Sequence, residues 1–398
     1  MSNLEELIER LCPDGVEYES LIDLCDVLYG FPCDASKFND DMIGLPLVRI
    51  RDVLEGKSDT YTIESVPEEY KIHSGDLLVG MDGNFHVGIW KDIEAILCQR
   101  VCRISSKDNE VLLDGFLNHL IEPIMKKIEL GKQSGTVKHL LAKDIKAIKL
   151  PVPPLEVQRE IVRILDNFTF LTAELAAELA ARQKQYEYYR DLLLTFKPNE
   201  STILNERTNE LELSGAIRWM KLGDIADIGT GNGNTNEGLD TGKYPFFVRS
   251  QDIKYKNEYD FDETAIITSG DGVGVGKIFH FVSGKYALHQ RAYRVHITSD
   301  NVLPKYFFYY FKNSFLTYIS KASFHSSVTS IRRPMMINFP VPVPPLEVQQ
   351  RIVGILDRFD TLCNDISSGL PAEIEMRQKQ YEYYRDKLLT FKELKKEA

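Results

Sequence analysis

ARQKQYEYYRDLLLTFK at Ala181–Lys197 returns as MRQKQYEYYRDKLLTFK at Met376–Lys392. Just upstream, PVPPLEVQREIVRILDNF at Pro151–Phe168 returns as PVPPLEVQQRIVGILDRF at Pro342–Phe359. The sequence between the copies is unlike. This is the pattern of an internal duplication, and duplicated halves fold into a pseudo-twofold object that suits a paired target.

The repeats read as helix. Pro153 and Pro154 stand at the first turn, where a missing N–H has no intrahelical partner to lose. Apolar residues then recur at Leu155, Ile161, Leu165, Phe168, Leu171, Leu175, Leu179, Tyr186, Tyr189, Leu193 and Phe196. Steps of mostly three, four or seven place them on one stripe. A helix from 155 to 196 is roughly 63 Å long at 1.5 Å per residue, more than the core of a small domain needs. The simplest burial packs the two stripes against each other, antiparallel. The copies differ in the middle. TAELAAELAA (Thr172–Ala181) favours helix, whereas Gly369 and Pro371 in NDISSGLPAEIE (Asn364–Glu375) predict a kink or break.

The intervening blocks read as mixed α/β. Strand-like runs are Leu47–Ile50, Leu77–Val79, Val101–Ile104, Phe246–Val248, Ala265–Thr268 and Tyr293–Ile297, and helical ones are Leu112–Ile128 and Lys305–Ser320. The blocks are weakly alike. Ser20–Gly30 lines up with Lys221–Gly231, Pro46–Arg49 loosely with Pro245–Arg249, Ser74-Gly-Asp76 with Ser269-Gly-Asp271, and Ile96–Arg100 with Ala287–Arg291.

The formal net charge of −11 argues against indiscriminate nucleic-acid binding. Its distribution is uneven. Residues 1–100 carry 8 Lys+Arg against 21 Asp+Glu, residues 101–150 carry 9 against 6, and residues 301–350 carry 5 against 1. The positive zones thus fall at matching places, ahead of each repeated helix, where they can engage phosphate. Six cysteines without a CxxC pair suggest a reduced, cytoplasmic chain with no metal site. MSNLEELIERLCPDG is neither a signal nor a transit peptide, and no apolar run is long enough to span a membrane.

Catalytic signatures are weak. Gly272-Val-Gly-Val-Gly-Lys277 lacks phosphate-loop spacing, and Ile278 stands where a magnesium-holding hydroxyl belongs, so it reads as a turn between strands. Gly229–Asn234 is another glycine-rich turn. Asp59 with Glu69-Tyr-Lys71 has the outline of a nuclease site without its proline–aspartate lead. No methyltransferase motif is found.

Two unlike blocks, two near-identical helices, the PVPPLEVQ entry and the TAEL-type step together resemble the specificity (S) subunit of type I restriction–modification systems. The resemblance covers essentially the whole chain. It implies an α/β (α+β) fold, with two mixed α/β target-recognition domains joined by two long antiparallel helices with pseudo-twofold symmetry. Residues 1–150 and 214–341 are the expected domains. Residues 151–197 form the central spacer helix, 198–213 a linker, and 342–398 the second spacer helix and tail. The implied role is non-catalytic and needs no cofactor. Each domain reads one half of a split site on double-stranded DNA. The helices set the gap and dock two modification (methyltransferase) subunits that bind S-adenosylmethionine, and restriction (motor–nuclease) subunits join them. A non-DNA coiled-coil scaffold and a fragment of a single-chain restriction enzyme are the alternatives.

Candidate contacts are polar loop residues able to pair with bases, Arg and Lys with guanine, Asn and Gln with adenine. In the first block these are Arg49, Arg51, Asn84, His86, Lys132, Gln133, Ser134, Thr136 and Lys138. In the second they are Arg249, Gln251, Lys277, Ser323, His325, Ser326, Ser327, Thr329, Arg332 and Arg333. Arg100 and Arg291, each after a glutamine, are left open between a contact and a structural role. The tyrosines of both YEYYR segments read as helix packing or partner docking.

Overall fold

A computed structural model describes residues 2–132, 137–196, 203–205, 210–213, 217–322 and 330–394. The first half runs α1 (Ser2–Leu11), β1 (Glu17–Ser20), α2 (Leu21–Leu24), β2 (Cys25–Tyr29), β3 (Phe38–Asn39), β4 (Leu45–Val48), β5 (Tyr61–Thr62), β6 (Lys71–Ile72), β7 (Leu77–Gly80), β8 (Val87–Ile89), β9 (Ala95–Leu97), β10 (Val101–Ser106), α3 (Asp114–Leu130), α4 (Ala142–Lys146), β11 (Lys149–Val152) and α5 (Leu155–Leu194). After the hairpin strands β12 (Ile203–Asn205) and β13 (Glu210–Leu213) come β14 (Arg218–Lys221), α6 (Leu222–Ile225), β15 (Ala226–Thr230), β16 (Tyr244–Phe247), β17 (Lys254–Lys256), β18 (Phe261–Ser269), β19 (Phe279–Leu288), β20 (Ala292–Ile297), α7 (Pro304–Ala322), α8 (Arg333–Ile337), β21 (Pro340–Val343), α9 (Leu346–Asn364) and α10 (Leu370–Leu388).

The chain divides into two compact units, Met1–Leu175 with Ile374–Ala398, and Ala176–Glu373. In the first, an antiparallel sheet of order β2-β10-β7-β8 stands beside a five-stranded sheet of order β3-β5-β4-β9-β6. In the second, one six-stranded sheet has order β15-β20-β18-β19-β16-β17. The ten-residue β19 does the work of both β8 and β9. It pairs antiparallel with β18 along its length and parallel with β16 at its end, as β9 pairs parallel with β4.

Each core forms between sheet, domain helix and long helices. In the first unit Phe116, Leu117 and Leu120 of α3 pack with Leu77 and Ile104, with Ile161 and Leu165 from the start of α5, and with Leu388 from the end of α10. In the second unit Phe307, Phe311 and Phe315 of α7 pack with Ile266 and Val295, with Ile352 and Leu356 from the start of α9, and with Leu193 and Leu194 from the end of α5. The start of one long helix thus meets the end of the other inside each unit, and the same residue types make the contact. Phe168 stacks on Tyr384 at 5.4 Å in the first, and Tyr189 stacks on Phe359 at 5.7 Å in the second. The architecture of mixed α/β domains on paired long helices is the one the duplication implies. The YEYYR residues Tyr189 and Tyr384 are packing residues, while Tyr188 and Tyr383 are exposed.

The PPLEVQ motif has a structural purpose. Gln158 and Gln349 are fully buried. Gln158 Oε1 accepts the Leu113 N–H at the start of α3 (2.9 Å), and its Nε2 donates to the carbonyls of Val111 and Pro153 (both 2.8 Å). Gln349 repeats this with Leu303, Asn301 and Pro344, all at 2.8 Å. One amide therefore closes three backbone bonds, one buried and two partly buried, and it ties each domain helix to a long helix.

Helix α5 is continuous for 40 residues. Its middle is held by alanine- and glutamate-rich propensity, since Ala173, Ala176, Ala177 and Ala180 are exposed. The second copy breaks where Gly369 and Pro371 stand. The Asp365 carboxylate accepts from the Ser367 hydroxyl (2.6 Å), the Ser368 hydroxyl (2.6 Å) and the Ser367 N–H (2.7 Å), and these bonds pull its pKa down to about 2. A side chain on Gly369 would meet the Thr361 carbonyl at 2.4 Å. The six cysteines are free and buried, and among the described residues no helix is long and apolar enough to cross a membrane.

Candidate nucleic-acid interface

The two units share a corner built from the backbone. In the first, β7 runs into Met81, whose N–H donates to the Arg100 carbonyl (2.8 Å) while its own carbonyl accepts from Leu140 (2.7 Å). In the second, Gly270 after β18 donates to the Arg291 carbonyl (2.8 Å) and accepts from Ile331 (2.8 Å). The next residue is aspartate in both, and bridges pair Asp82 with His139 and Asp271 with Ser330. A left-handed glycine follows, Gly83 at φ 72° and Gly272 at φ 80°, a conformation that glycine adopts without strain. This register corrects the alignment read from sequence. Asp271 corresponds to Asp82, not to Asp76, which lies ahead of β7 and faces Arg103 at 3.5 Å.

Both aspartates hold the arginine across the corner. Asp82 lies 3.4 Å from Arg100 Nε and accepts from His139 Nδ1 at 2.7 Å. Asp271 accepts Arg291 Nη1 at 3.0 Å on one oxygen and Arg249 Nη1 at 2.7 Å on the other. Burial raises the Asp271 pKa, but the two guanidiniums outweigh it and hold the carboxyl below its ordinary value. His289 supports the corner from beneath. Its Nδ1 accepts the Arg291 N–H at 2.9 Å, so the proton sits on Nε2, which meets Thr235 Oγ1 at 3.1 Å. Burial, assisted by nearby Arg249, lowers the His289 pKa and favours this neutral ring.

The flanks differ. In the second unit the turn after Asp271 lifts Val273 to 98% exposure. A hollow of about 350 Å³ beside it is lined by Thr235, Arg249, Ser250, Asp271 and Val273. In the first unit the shorter turn presents Asn84, exposed, with His86 half-buried behind it.

The expected contact residues divide accordingly. Arg249 joins the corner, and Gln251 and Lys277 are exposed near it in sequence. Arg332 and Arg333 are exposed at the start of α8, and among the described residues neither forms an ion pair. Arg51 is exposed, with Nη2 donating to Asp59 (3.0 Å) and Thr60 (2.9 Å). Arg49 is turned inward, bonded to Thr60 and 3.8 Å from Asp52. Lys132 meets Asp144 of α4 at 2.5 Å, and Lys138 meets Glu129 of α3 at 3.1 Å, both with mostly covered side chains. Gln133, Ser134, Thr136, Ser323, His325, Ser326, Ser327 and Thr329 lie outside the described residues. What the sequence reading missed is the pair Asp82 and Asp271. The signal was present as an Asp-Gly dipeptide after matching strands, at Asp82-Gly83 and Asp271-Gly272.

Comparison with known proteins agrees with the duplication. The family model described as "Type I restriction modification DNA specificity domain" matches twice, at residues 13–182 and 217–376. A type I restriction enzyme specificity subunit of Escherichia coli is 36% identical over 273 residues, covering 61% of this chain and 63% of that protein. A putative type I restriction enzyme specificity subunit of Haemophilus influenzae is 36% identical over 275 residues, covering 62% and 65%. The matched part is thus slightly under two thirds of each relative's length. Among solved structures, the S subunit of a type I restriction–modification system from M. genitalium superposes with TM-score 0.58 at 14% identity over 94% of this chain and 96% of that one. A chain from a study of complex assembly and conformational transition of the type I system gives 0.57 at 18% identity over 95% and 98%. These superpositions speak for the fold, and the two family-model matches carry the assignment: the chain belongs to the type I restriction–modification DNA specificity family.

Proposed function

We propose that this chain is the sequence-specificity subunit of a type I restriction–modification complex. Each unit's α/β domain reads one half of a bipartite site on double-stranded DNA, and the long helices hold the halves at a set spacing. The observation that carries this reading is the recurrence of one corner, with an aspartate-held arginine and an exposed turn, in two domains whose flanking residues differ. A shared framework with unlike tips is what two different half-sites require. Residues 1–150 and 214–341 serve as the reading domains. Residues 151–197 and 342–398 serve as spacers and tail, and 198–213 as linker.

The chain itself is non-catalytic and takes no cofactor. Methyl transfer from S-adenosylmethionine comes from two modification subunits docked on the helices, and cleavage from restriction subunits, in the cytoplasm. Arg51, Asn84, His86, Arg249, Gln251, Lys277, Arg332 and Arg333 are the favoured DNA contacts, being exposed or at the corner. Arg49, Lys132 and Lys138 act through their ion-pair neighbours unless DNA displaces them. The test is genome-wide mapping of methylated adenine in a host carrying this chain and its partner subunits. A split motif with a constant gap is expected. Methylation without sequence preference refutes the reading and favours a scaffold.

A further inference from the structure

We propose that the aspartate–arginine corner, Asp82 with Arg100 and Asp271 with Arg291, is the base-reading element of each half, with the arginine taking a guanine edge in the major groove. This rests on the DNA-recognition reading above and names the atoms that would carry it. Three independent observations support it.

The first is chemical. A guanidinium has five N–H donors in a planar fork. Among the described residues, the Arg291 guanidinium commits Nη1 to Asp271 at 3.0 Å, and Arg100 faces Asp82 through Nε at 3.4 Å. The unspent pair of donors on each matches O6 and N7 of guanine. Both side chains are more than half exposed, at 64% for Arg100 and 61% for Arg291, so the forks are within reach of a ligand.

The second is electrostatic. A phosphate site gathers cations and avoids carboxylates, because like charges at close range repel. Here a carboxylate lies at the centre of each corner. It holds the arginine in one orientation, and in the second corner it also neutralises part of the charge of Arg249, so the arrangement favours an oriented contact with a base edge over a diffuse one with the backbone.

The third is conformational. Arg100 has φ 74°, a left-handed backbone uncommon for a residue with a side chain and typical of sites where the surroundings enforce a functional geometry. The corner is held there by the Met81 N–H bonded to the Arg100 carbonyl at 2.8 Å. In the second unit Gly270 makes the same bond to Arg291. Arg291 keeps this bond without the left-handed φ, so the constraint is tighter at Arg100.

The experiment uses the full chain assembled with its modification subunits. Methylation rates are measured on duplexes carrying each base at each position of both mapped half-sites. Arg291→Ala is expected to reduce discrimination at one guanine position of one half-site by about tenfold to a hundredfold, leaving the other half-site and the gap unchanged. Arg100→Ala is expected to do the same in the opposite half-site. Asp271 is a positioning residue. Asp271→Asn, which loosens both Arg249 and Arg291, should relax the same position as Arg291→Ala, with the loss of discrimination confined to that position rather than spread over all duplexes. Where Arg291→Ala fails to assemble, Arg291→Gln keeps the stem and an amide donor and carries the same test.

A uniform loss across all duplexes, with the salt slope reduced by about one, would identify a phosphate contact and overturn the proposal. So would unchanged discrimination, or relaxation in both half-sites from one substitution. A wild-type complex with no base preference anywhere is a different result, which removes the specificity reading itself.

Discussion

Replacing Gln158 by leucine isolates the clasp between domain helix and long helix. The amide is fully buried and closes three bonds of 2.8–2.9 Å, to the Leu113 N–H and the carbonyls of Val111 and Pro153. Leucine fills similar space but satisfies none of them. A buried backbone group left unpaired costs about 1–3 kcal/mol. Relaxation and water entry recover part of the sum, so a loss of about 3–6 kcal/mol is expected. For a unit of this size each kcal/mol moves the midpoint by roughly 2–4 °C, which gives a downward shift of about 6–24 °C. The assay is thermal unfolding with hydrogen exchange read at the Leu113 amide. That amide should lose protection, while the Leu303 amide, held by Gln349 at 2.8 Å, keeps it. Gln349→Leu should produce the mirror result. A midpoint shift below about 2 °C, or equal loss of protection at both amides, refutes the claim that each glutamine secures its own domain.

Inserting Ala-Ala-Glu-Leu after Leu179 adds about 6 Å and a net 40° to the helix, in a stretch where Ala176, Ala177 and Ala180 are exposed. Methylation mapping should show a longer gap with both half-sites intact, and an unchanged gap rules out the helices as the ruler. His119, whose ring lies between Asp166 (2.8 Å) and Tyr381 (3.0 Å), has its pKa lowered by burial against the opposing pull of Asp166, with Arg385 and Glu122 nearby. Below its ordinary value of 6.5 the unfolded chain therefore binds a proton that the folded chain resists, and this contribution to stability falls as pH falls. His119→Tyr, which installs the residue found at the matching Tyr309, should flatten the loss on acidification in a thermal series, and an unaltered pH slope counts against it. Arg332→Ala with Arg333→Ala should weaken DNA binding by the assembled complex and flatten its salt dependence. Identical binding across the salt series would remove both residues from the interface.

The parts of this fold legible in the sequence are those where one local pattern has one physical outcome. The copied helices announced themselves, and the stripe from Leu155 to Phe196 matches the side of α5 that is covered in the two units. Gly369 and Pro371 forecast the break between α9 and α10 because neither suits a helix interior, and the break falls there. The strand-like runs fell on β4, β7, β10, β16, β18 and β20 to within a few residues. The register between the two domains was not legible. One continuous strand, β19, replaces β8, β9 and the residues around Trp90 between them, so turn lengths differ and Ser74-Gly-Asp76 offers a false match to Ser269-Gly-Asp271. Backbone pairing removes the ambiguity, since Gly80 stands opposite Val101 as Ser269 stands opposite Ala292.

The same limit governs the candidate contacts. Arg49, Lys132 and Lys138 look like donors in a sequence because a cation's availability depends on the carboxylates near it in space. Thr60 and Asp52 draw Arg49 inward, while Asp144 and Glu129 engage the two lysines. Composition ahead of each helix counts these charges as free, although Lys132 and Lys138 are paired with acids of the same segment. A sequence read by charge alone therefore points to phosphate contacts, whereas the geometry points to corners where an arginine is held by an acid and still exposed. The distinction has a measurable form. Phosphate binding makes affinity depend steeply on salt and little on base identity. Oriented arginines make it depend on base identity at one position per corner, so the two half-sites should each contain a guanine whose replacement is tolerated once its own arginine is removed.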